Sequence, residues 1–412
     1  MAGLRGTARN LPKGSAGLRP GAAVRENAGV KVCVVTGSRA EYGLLRPVMR
    51  AVDASDSLTL QVAVTGTHLE PAHGRTIEQI RADGFRIEAR VPAAQHDDSS
   101  IGIAHSMGLT TRGFAVAFAE LQPDLVLVLG DRFEILAVTQ AALVSRIPVA
   151  HLCGGDVTEG AWDDAIRHAI TKMAHLHFVT NTDAARRVRQ LGERADRVHC
   201  VGSPGIDAIR TVDLLDGEAL DDALGVRLRA RNVLVTYHPE TLAFDDGVAR
   251  LDELLAALDA LGPDVGVIVT MPNADLGGGA LATRTRAWAA ERDHVAAYTS
   301  LGQRRYLSTM AAVDAVVGNS SSGLYEAPSF KVPTVNIGGR QDGRLRASSV
   351  LDCAPERSAI ETAIRAAFAL DTADAVNPYG DGHAAAAIVA VLASIDDPRA
   401  LLRKGFVDQE LP

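Results

Sequence analysis

The chain has 412 residues, of which 47% are hydrophobic, 22% charged and 4% aromatic, and its formal net charge is −8. That length exceeds one ordinary core and suits two or three at about 150 residues each. The balance is that of a globular chain rather than a disordered one, and the negative charge speaks against a general binder of nucleic acid or anionic membrane.

The charge is unevenly spread. Residues 1–29 carry five basic side chains against one acidic, which leaves −12 on the remainder. An anionic ligand must therefore be gripped locally by a few arginines and backbone N–H groups. Segment 1–29 lacks the apolar stretch of a secretory signal and reads as a disordered basic extension whose removal should leave activity intact. No run approaches the roughly 20 apolar residues of a membrane span. Cys33, Cys153, Cys200 and Cys353 are scattered without a C-x-x-C pair, and Cys33 and Cys200 fall in expected buried strands, so a reduced cytoplasmic protein is expected.

From residue 30 strands and helices alternate. Strand 30–36 (VKVCVVT) leads to helix 42–52, strand 58–65, a strand at 84–91 and helix 101–121. An apolar strand at 124–129 (DLVLVL) precedes helix 134–145, strand 147–152, helix 164–174, strand 176–180, helix 182–191 and strand 197–201. The pattern restarts with strand 232–237 (NVLVTY) and continues through helices at 246–261, 279–292, 303–312, 321–328 and 357–369. These alternate with strands at 265–270, 295–298, 314–317 and 333–337. Apolar strands joined by helical crossovers predict parallel sheets covered on both faces. The fold class is thus α/β, with two doubly wound Rossmann-like domains facing a cleft. The expected divisions are 1–29, 30–205, 206–384 and a C-terminal helix at 385–412, with the hinge in Gly202–Asp222.

Chemistry-bearing residues follow the strands. Gly37-Ser38-Arg39 ends the first, and Arg39 before a helix suits a phosphate. There is no Gly-Lys-Ser/Thr Walker loop and no G-x-G-x-x-G. Gly130-Asp131-Arg132 follows strand 124–129. Gly154-Gly155-Asp156 follows strand 147–152, then Asp163, Asp164, Arg167 and His168. Asp164 and His168 stand four apart, so they can share a helix face. Carboxylates gathered in one cleft suit general acid–base work, the plain alternative being a capped helix with surface ion pairs. In the second half, His238-Pro239-Glu240-Thr241, Asn273 and Gly318-Asn319-Ser320-Ser321-Ser322 take the equivalent places. The serines at a helix start suggest a pyrophosphate cradle, or else an exposed cap, and Glu326 is placed for ribose hydroxyls. Arg340, Arg344 and Arg346 add positive charge beside Gly338-Gly339. His175 and His177 alternate along a strand without a third ligand, so no metal is expected. No G-x-S-x-G elbow marks a serine hydrolase.

These motifs resemble the hydrolysing UDP-N-acetylglucosamine 2-epimerases of sialic-acid and nonulosonic-acid biosynthesis. The resemblance runs from residue 30 to about 352 through VTGSRAEYG (35–43), VTGTH (64–68), LGDRFEILA (129–137), GGDVTEGAWDDAIRHAITKMAHLHF (154–178), HPET (238–241), GNSSSGLYE (318–326) and NIGGRQDGR (336–344). It implies a glycosyltransferase-B-like fold whose C-terminal helix returns to the first domain. The implied reaction converts UDP-N-acetylglucosamine and water to N-acetylmannosamine and UDP through a 2-acetamidoglucal, without cofactor or metal. Asp131 and Asp163 are the implied catalytic carboxylates, and His238 contacts the diphosphate or assists. Arg39, Arg132, Asn273, Ser320, Ser321, Ser322, Glu326 and Arg340 hold UDP, while His68 lines the sugar pocket. Some relatives carry a catalytic Glu where this chain has Cys153, so Asp156, Asp163 and His168 compete as the C2 acid–base group, with Asp163 preferred. The expected partner is a nucleotide sugar, with no nucleic acid or membrane, and the expected assembly a homo-oligomer, dimer or tetramer. The same reaction on a nucleotide-linked 2,4-diacetamido-2,4,6-trideoxyhexose (the legionaminic-acid branch) is the near alternative. A glycosyltransferase and a non-catalytic sugar-nucleotide sensor are the alternatives of another class.

Overall fold

The computed structural model describes residues 29–70, 76–93, 99–159, 161–240, 247–272 and 278–409. The reading of the basic segment up to residue 28 lies outside these residues. The first sheet comprises β1 (Val30–Thr36), β2 (Leu58–Val64), β3 (Ala89–Arg90), β4 (Leu125–Leu129), β5 (Val149–Leu152), β6 (Leu176–Val179) and β7 (Val198–Cys200). All pair in parallel, in the order β3-β2-β1-β4-β5-β6-β7. Every residue of the LVLVL run in β4 is buried, as a strand covered by helices on both faces requires.

The second sheet comprises β8 (Arg231–Thr236), β9 (Val265–Thr270), β10 (Val295–Tyr298), β11 (Ala315–Gly318), β12 (Thr334–Ile337) and β13 (Val350–Cys353), parallel in the order β10-β9-β8-β11-β12-β13. In each sheet the order reverses once, between β1 and β4 and between β8 and β11. Helices leave to opposite faces at such a point and open a crevice beyond the strand ends. Four of the loops singled out by the sequence, beginning at Gly37, Gly130, His238 and Asn319, follow these strands.

Several segments depart from the sequence reading. The strand expected at 84–91 contracts to Ala89–Arg90. Glu88 there accepts the Val62 N–H with its side chain at 2.7 Å, which satisfies the sheet edge without a longer ladder. The expected hinge, Gly202–Asp222, holds helix Pro204–Thr211 and most of helix Gly217–Leu224. Pro204 opens the first of these, where its missing N–H costs nothing, and Ser203 caps it through the Gly205 N–H. Cys200 is exposed at the end of the edge strand β7 rather than buried, while Cys33 is buried, and all four cysteines are free thiols. Helix Ile77–Ala82 and β13 were not anticipated.

The last helix, Ala384–Ala393, buries Ala384, Ala385, Ile388 and Leu392 in the core of the first sheet, beside Val32, Tyr42 and Met49. Its free N-terminal N–H groups are received by the Asp207 carboxylate, from Ala384 at 3.0 Å and Ala385 at 2.8 Å. Beyond it the Val407 N–H donates to the Gly192 carbonyl at 2.9 Å, holding the tail on the first sheet's side. Among the described residues no helix is long and apolar enough to cross a membrane.

Candidate functional site

The loop after β4 is organised by a buried arginine. Arg167, 2% exposed, projects from helix Asp163–Met173 and pairs with the Asp131 carboxylate. The same guanidinium donates to the Asp164 carboxylate at 3.1 Å, the Asp156 carbonyl at 2.7 Å and the Thr158 hydroxyl at 2.8 Å. Burial alone would raise the Asp131 pKa, but the charges of Arg167 and Arg344 outweigh it and hold the group below the ordinary carboxylate range. Asp131 is thus an anion fixed at the first switch point. His151 on β5 steadies the backbone before it, with Nε2 2.7 Å from the Gly130 carbonyl and Nδ1 3.2 Å from the Thr171 hydroxyl. A carbonyl can only accept, so Nε2 carries the proton and Nδ1 accepts from Thr171. Burial lowers the ring's pKa to about 3, in keeping with this neutral form.

The other acidic candidates differ in surroundings. Asp156 is buried, and its carboxylate takes hydrogen bonds from Thr180 at 3.1 Å, from Asn181 at 3.1 Å and from the Tyr325 hydroxyl. Asp163 opens its helix and is part exposed. Asp164 accepts the Thr158 N–H at 2.7 Å and lies 3.5 Å from His168 Nε2, the shared face that the four-residue spacing predicts. Burial lowers the His168 pKa, although Asp164 opposes the shift. Cys153 sits at φ 62° in the left-handed region at the end of β5. Burial, then the charges of Asp156 and Asp131, push its thiol well up, so it stays protonated.

At the end of β1, Ser38 caps helix Arg39–Asp53, and Glu41 receives the Gly37 N–H at 2.9 Å. This reciprocal pattern is a variant of the capping box. Burial raises the Glu41 pKa to about 7. Arg39 reaches the Gly302 turn of the second domain, and its pKa is lowered by burial and by the charge of Arg305. Arg132 forks onto Glu134 with two contacts of 3.1 Å. His68 is fully buried, with Nε2 2.9 Å from the Thr36 hydroxyl and Nδ1 2.7 Å from the Thr76 hydroxyl, and burial lowers its pKa to about 4.

The second half is braced by Asn319. Its side chain accepts the His238 N–H at 2.7 Å and donates to the His238 carbonyl at 2.9 Å, locking the loop after β8 to the loop after β11. Its carbonyl accepts from Arg340 at 3.2 Å and Gln341 at 2.7 Å, which adds the loop after β12. Gly318 permits this closeness, because at φ 135° a Cβ there would lie 2.0 Å from the Thr236 carbonyl oxygen. The helix expected at 321–328 is shorter: Ser322–Tyr325 makes one turn, and a 3-10 turn, Ala327–Phe330, follows. Pro328 lacks the N–H that would continue the α ladder. So short a helix has little dipole, and a cradle here rests on individual N–H and hydroxyl groups. Among these, Ser322 bonds Tyr306 at 2.6 Å and Ser320 at 3.1 Å, while Ser321 is the N-cap residue. Burial raises the Glu326 pKa to about 7. Asn273 lies outside the described residues.

The two halves touch directly. Arg344 donates to the Val157 carbonyl at 3.2 Å and the Thr158 hydroxyl at 2.9 Å, Tyr325 reaches Asp156, and Gln303 donates to the Gly43 carbonyl at 2.7 Å. The structure therefore gathers Asp131, Asp156, Asp164 and His168 around Arg167, and His238, Ser320 and Arg340 around Asn319. The sequence names Arg167 and Asn319 beside the strand ends without giving either a role, and it passes over His151 and Tyr325. Arg167 was signalled by its i+3 spacing from Asp164, whereas His151 and Tyr325 carry no local cue. His175 and His177 serve structure, with His175 accepting the Val149 N–H at 3.1 Å and His177 bonding Glu193 at 3.1 Å.

A family model described as UDP-N-acetylglucosamine 2-epimerase matches residues 50–393. The chain is 40% identical over 323 residues, 78% of its length and 84% of the relative's, to the GDP/UDP-N,N'-diacetylbacillosamine 2-epimerase (hydrolyzing) of Campylobacter jejuni. It is 35% identical over 356 residues, 85% of its length and 92% of the relative's, to the UDP-N,N'-diacetylbacillosamine 2-epimerase (hydrolyzing) of Legionella pneumophila. The crystal structure of UDP-GlcNAc 2-epimerase from Neisseria meningitidis bound to UDP-GlcNAc superposes with a TM-score of 0.73 at 18% identity, covering 88% of this chain and 99% of that one. That last likeness is one of fold, consistent with two Rossmann-like domains in the glycosyltransferase-B-like arrangement.

Proposed function

We propose a reaction for this chain from one premise: it belongs to the UDP-N-acetylglucosamine 2-epimerase family. The reaction is hydrolytic 2-epimerisation of a nucleotide-linked 2-acetamido sugar, releasing the nucleoside diphosphate and the free epimer. The sequence reading began with UDP-N-acetylglucosamine, whereas relatives at 40% and 35% identity carry diacetylbacillosamine in their names. We take the nucleotide-linked 2,4-diacetamido-trideoxy sugar as the first substrate to test and UDP-N-acetylglucosamine as the second.

The observation that carries the reading is the Asp131–Arg167 pair at one switch point, joined across the interdomain contacts to the Asn319-braced loops at the other. One half offers fixed carboxylates, and the other offers arginine, serine and backbone N–H groups. In the assigned mechanism Asp163 takes the proton from C2, the C–H electrons form the C1=C2 bond, and the C1–O bond breaks as UDP departs. Asp131, held anionic, stabilises positive charge developing at C1 and then takes a proton from the water that adds there. Asp131 passes the proton it took from the water to C2 on the opposite face, and Asp163 gives its own proton to solvent, which returns both carboxylates to their starting state. Arg39, Arg132, Arg340, His238 and the Ser320–Ser322 turn receive the diphosphate. Glu326, with its raised pKa, can both donate to and accept from ribose hydroxyls.

The test is to incubate the protein with each sugar nucleotide and identify the products. Free 2-epimerised sugar with UDP is expected. An epimer still linked to UDP would place the chain with the non-hydrolysing enzymes, and binding of both compounds without turnover would make it a sensor.

A further inference from the structure

The carboxylate half and the nucleotide half are joined by a hydrogen-bonded chain that the reaction scheme does not use. The Thr158 hydroxyl accepts from two guanidinium groups, Arg344 of the second domain at 2.9 Å and Arg167 of the first at 2.8 Å. Arg167 passes the connection to Asp131. In parallel, the Tyr325 hydroxyl reaches Asp156 from the turn that begins with Ser322. The Tyr325 ring stacks on Tyr379 at 3.8 Å and has the Arg344 guanidinium 5.4 Å from its centroid. Packing at this seam is close, since a Cβ on Gly343 would lie 2.4 Å from Val157.

We infer that Thr158, Tyr325 and Arg344 are positioning residues that couple occupancy of the nucleotide side to the placement of the Asp131–Arg167 pair. The inference rests on the epimerase reading. When a diphosphate orders the Ser320–Ser322 turn, Tyr325 and Arg344 are fixed with it. Their hydrogen bonds then fix the 156–159 loop, and through Thr158 they fix Arg167 and the carboxylate it holds. Asp156, saturated by Thr180, Asn181 and Tyr325, is the anchor of this seam and not a proton carrier. The arrangement makes proton removal depend on a nucleotide being present.

Hydrogen exchange with and without UDP tests this without relying on turnover. In the unaltered protein UDP should slow exchange both at 318–326 and at 156–168. In Thr158→Val and Tyr325→Phe the protection should stay at 318–326 and fail to spread. Both variants should bind UDP within about twofold of the unaltered protein while kcat falls roughly 10- to 100-fold, the range expected of a misplaced reacting group. Thr158→Ser, which keeps the hydroxyl, should restore both readouts. Spreading of protection in Thr158→Val and Tyr325→Phe, or a loss of kcat that Thr158→Ser does not restore, overturns the inference. Absence of any UDP binding overturns instead the epimerase reading on which it stands.

Discussion

Arg167 stands between Asp131 and Asp164 and donates to both carboxylates from a position only 2% exposed. A buried cation so placed is costly to bring out of water and costly to remove, because its partners are then left charged and unpaired. Arg167→Met should therefore cost about 3–5 kcal/mol in urea denaturation, the range for breaking a buried pair. In the fraction that folds, kcat should fall far more than KM rises. Equal changes in both would mean that Arg167 serves substrate binding rather than the placement of Asp131.

Gly318 closes β11 against β8 where no side chain fits. Gly318→Ala should separate the loops that Asn319 ties together and destabilise the protein by at least about 2 kcal/mol, the scale of strain at a special backbone conformation. It should also weaken UDP binding. Denaturation and calorimetry on the variant check both, and unaltered UDP affinity would detach the Asn319 brace from the nucleotide side.

Acid should loosen the C-terminal tail first. Burial would raise the Glu193 pKa, but hydrogen bonds from His177, Lys172 and Lys404 outweigh it and bring it down from 4.5 to about 2. A group lowered on folding stabilises the fold fully above its unfolded pKa and loses that contribution as pH falls through the folded one. The window is thus from about pH 4.5 down to about 2. Lys404 binds Glu193 at 2.8 Å and the Lys172 and Ala174 carbonyls at 2.6 Å, so the protection of residues 403–409, taken against the free-peptide exchange rate at each pH, should fall across that window. In Glu193→Gln the same residues should exchange fast already at neutral pH.

Much of this architecture is legible in the sequence because its strands are apolar throughout. LVLVL at 125–129 and VGVIVT at 265–270 have no polar face to conceal, and both form wholly buried strands inside their sheets. What is illegible depends on partners distant in the chain. The Asp207 carboxylate that receives helix Ala384–Ala393 lies 177 residues before Ala384. Tyr325 and Asp156 are 169 residues apart. Tertiary closure also decides the Ser320–Ser322 turn, where Pro328 and the packing of Asn319 shorten a helix that propensity alone would extend. His68 shows the converse. Its motif marked a pocket, but Thr36 and Thr76 occupy both ring nitrogens inside the protein.

Asp163, at the part-exposed start of its helix, is assigned the C2 proton. Asp163→Asn keeps the size and removes the basicity, so turnover should drop roughly 100- to 10,000-fold, the usual worth of a positioned acid–base group. UDP affinity should be unchanged by calorimetry. A variant with full turnover would shift the role to His168.

The most direct measurement follows the C2 hydrogen. The protein is incubated in deuterated water with the nucleotide-linked diacetamido sugar and, separately, with UDP-N-acetylglucosamine, and the released sugar is read by NMR and mass spectrometry. The account predicts UDP, a free 2-epimerised sugar and one deuterium at C2, because proton loss to Asp163 precedes return of a solvent proton on the opposite face. A free sugar that keeps its C2 protium, or an epimer still bound to UDP, would contradict it.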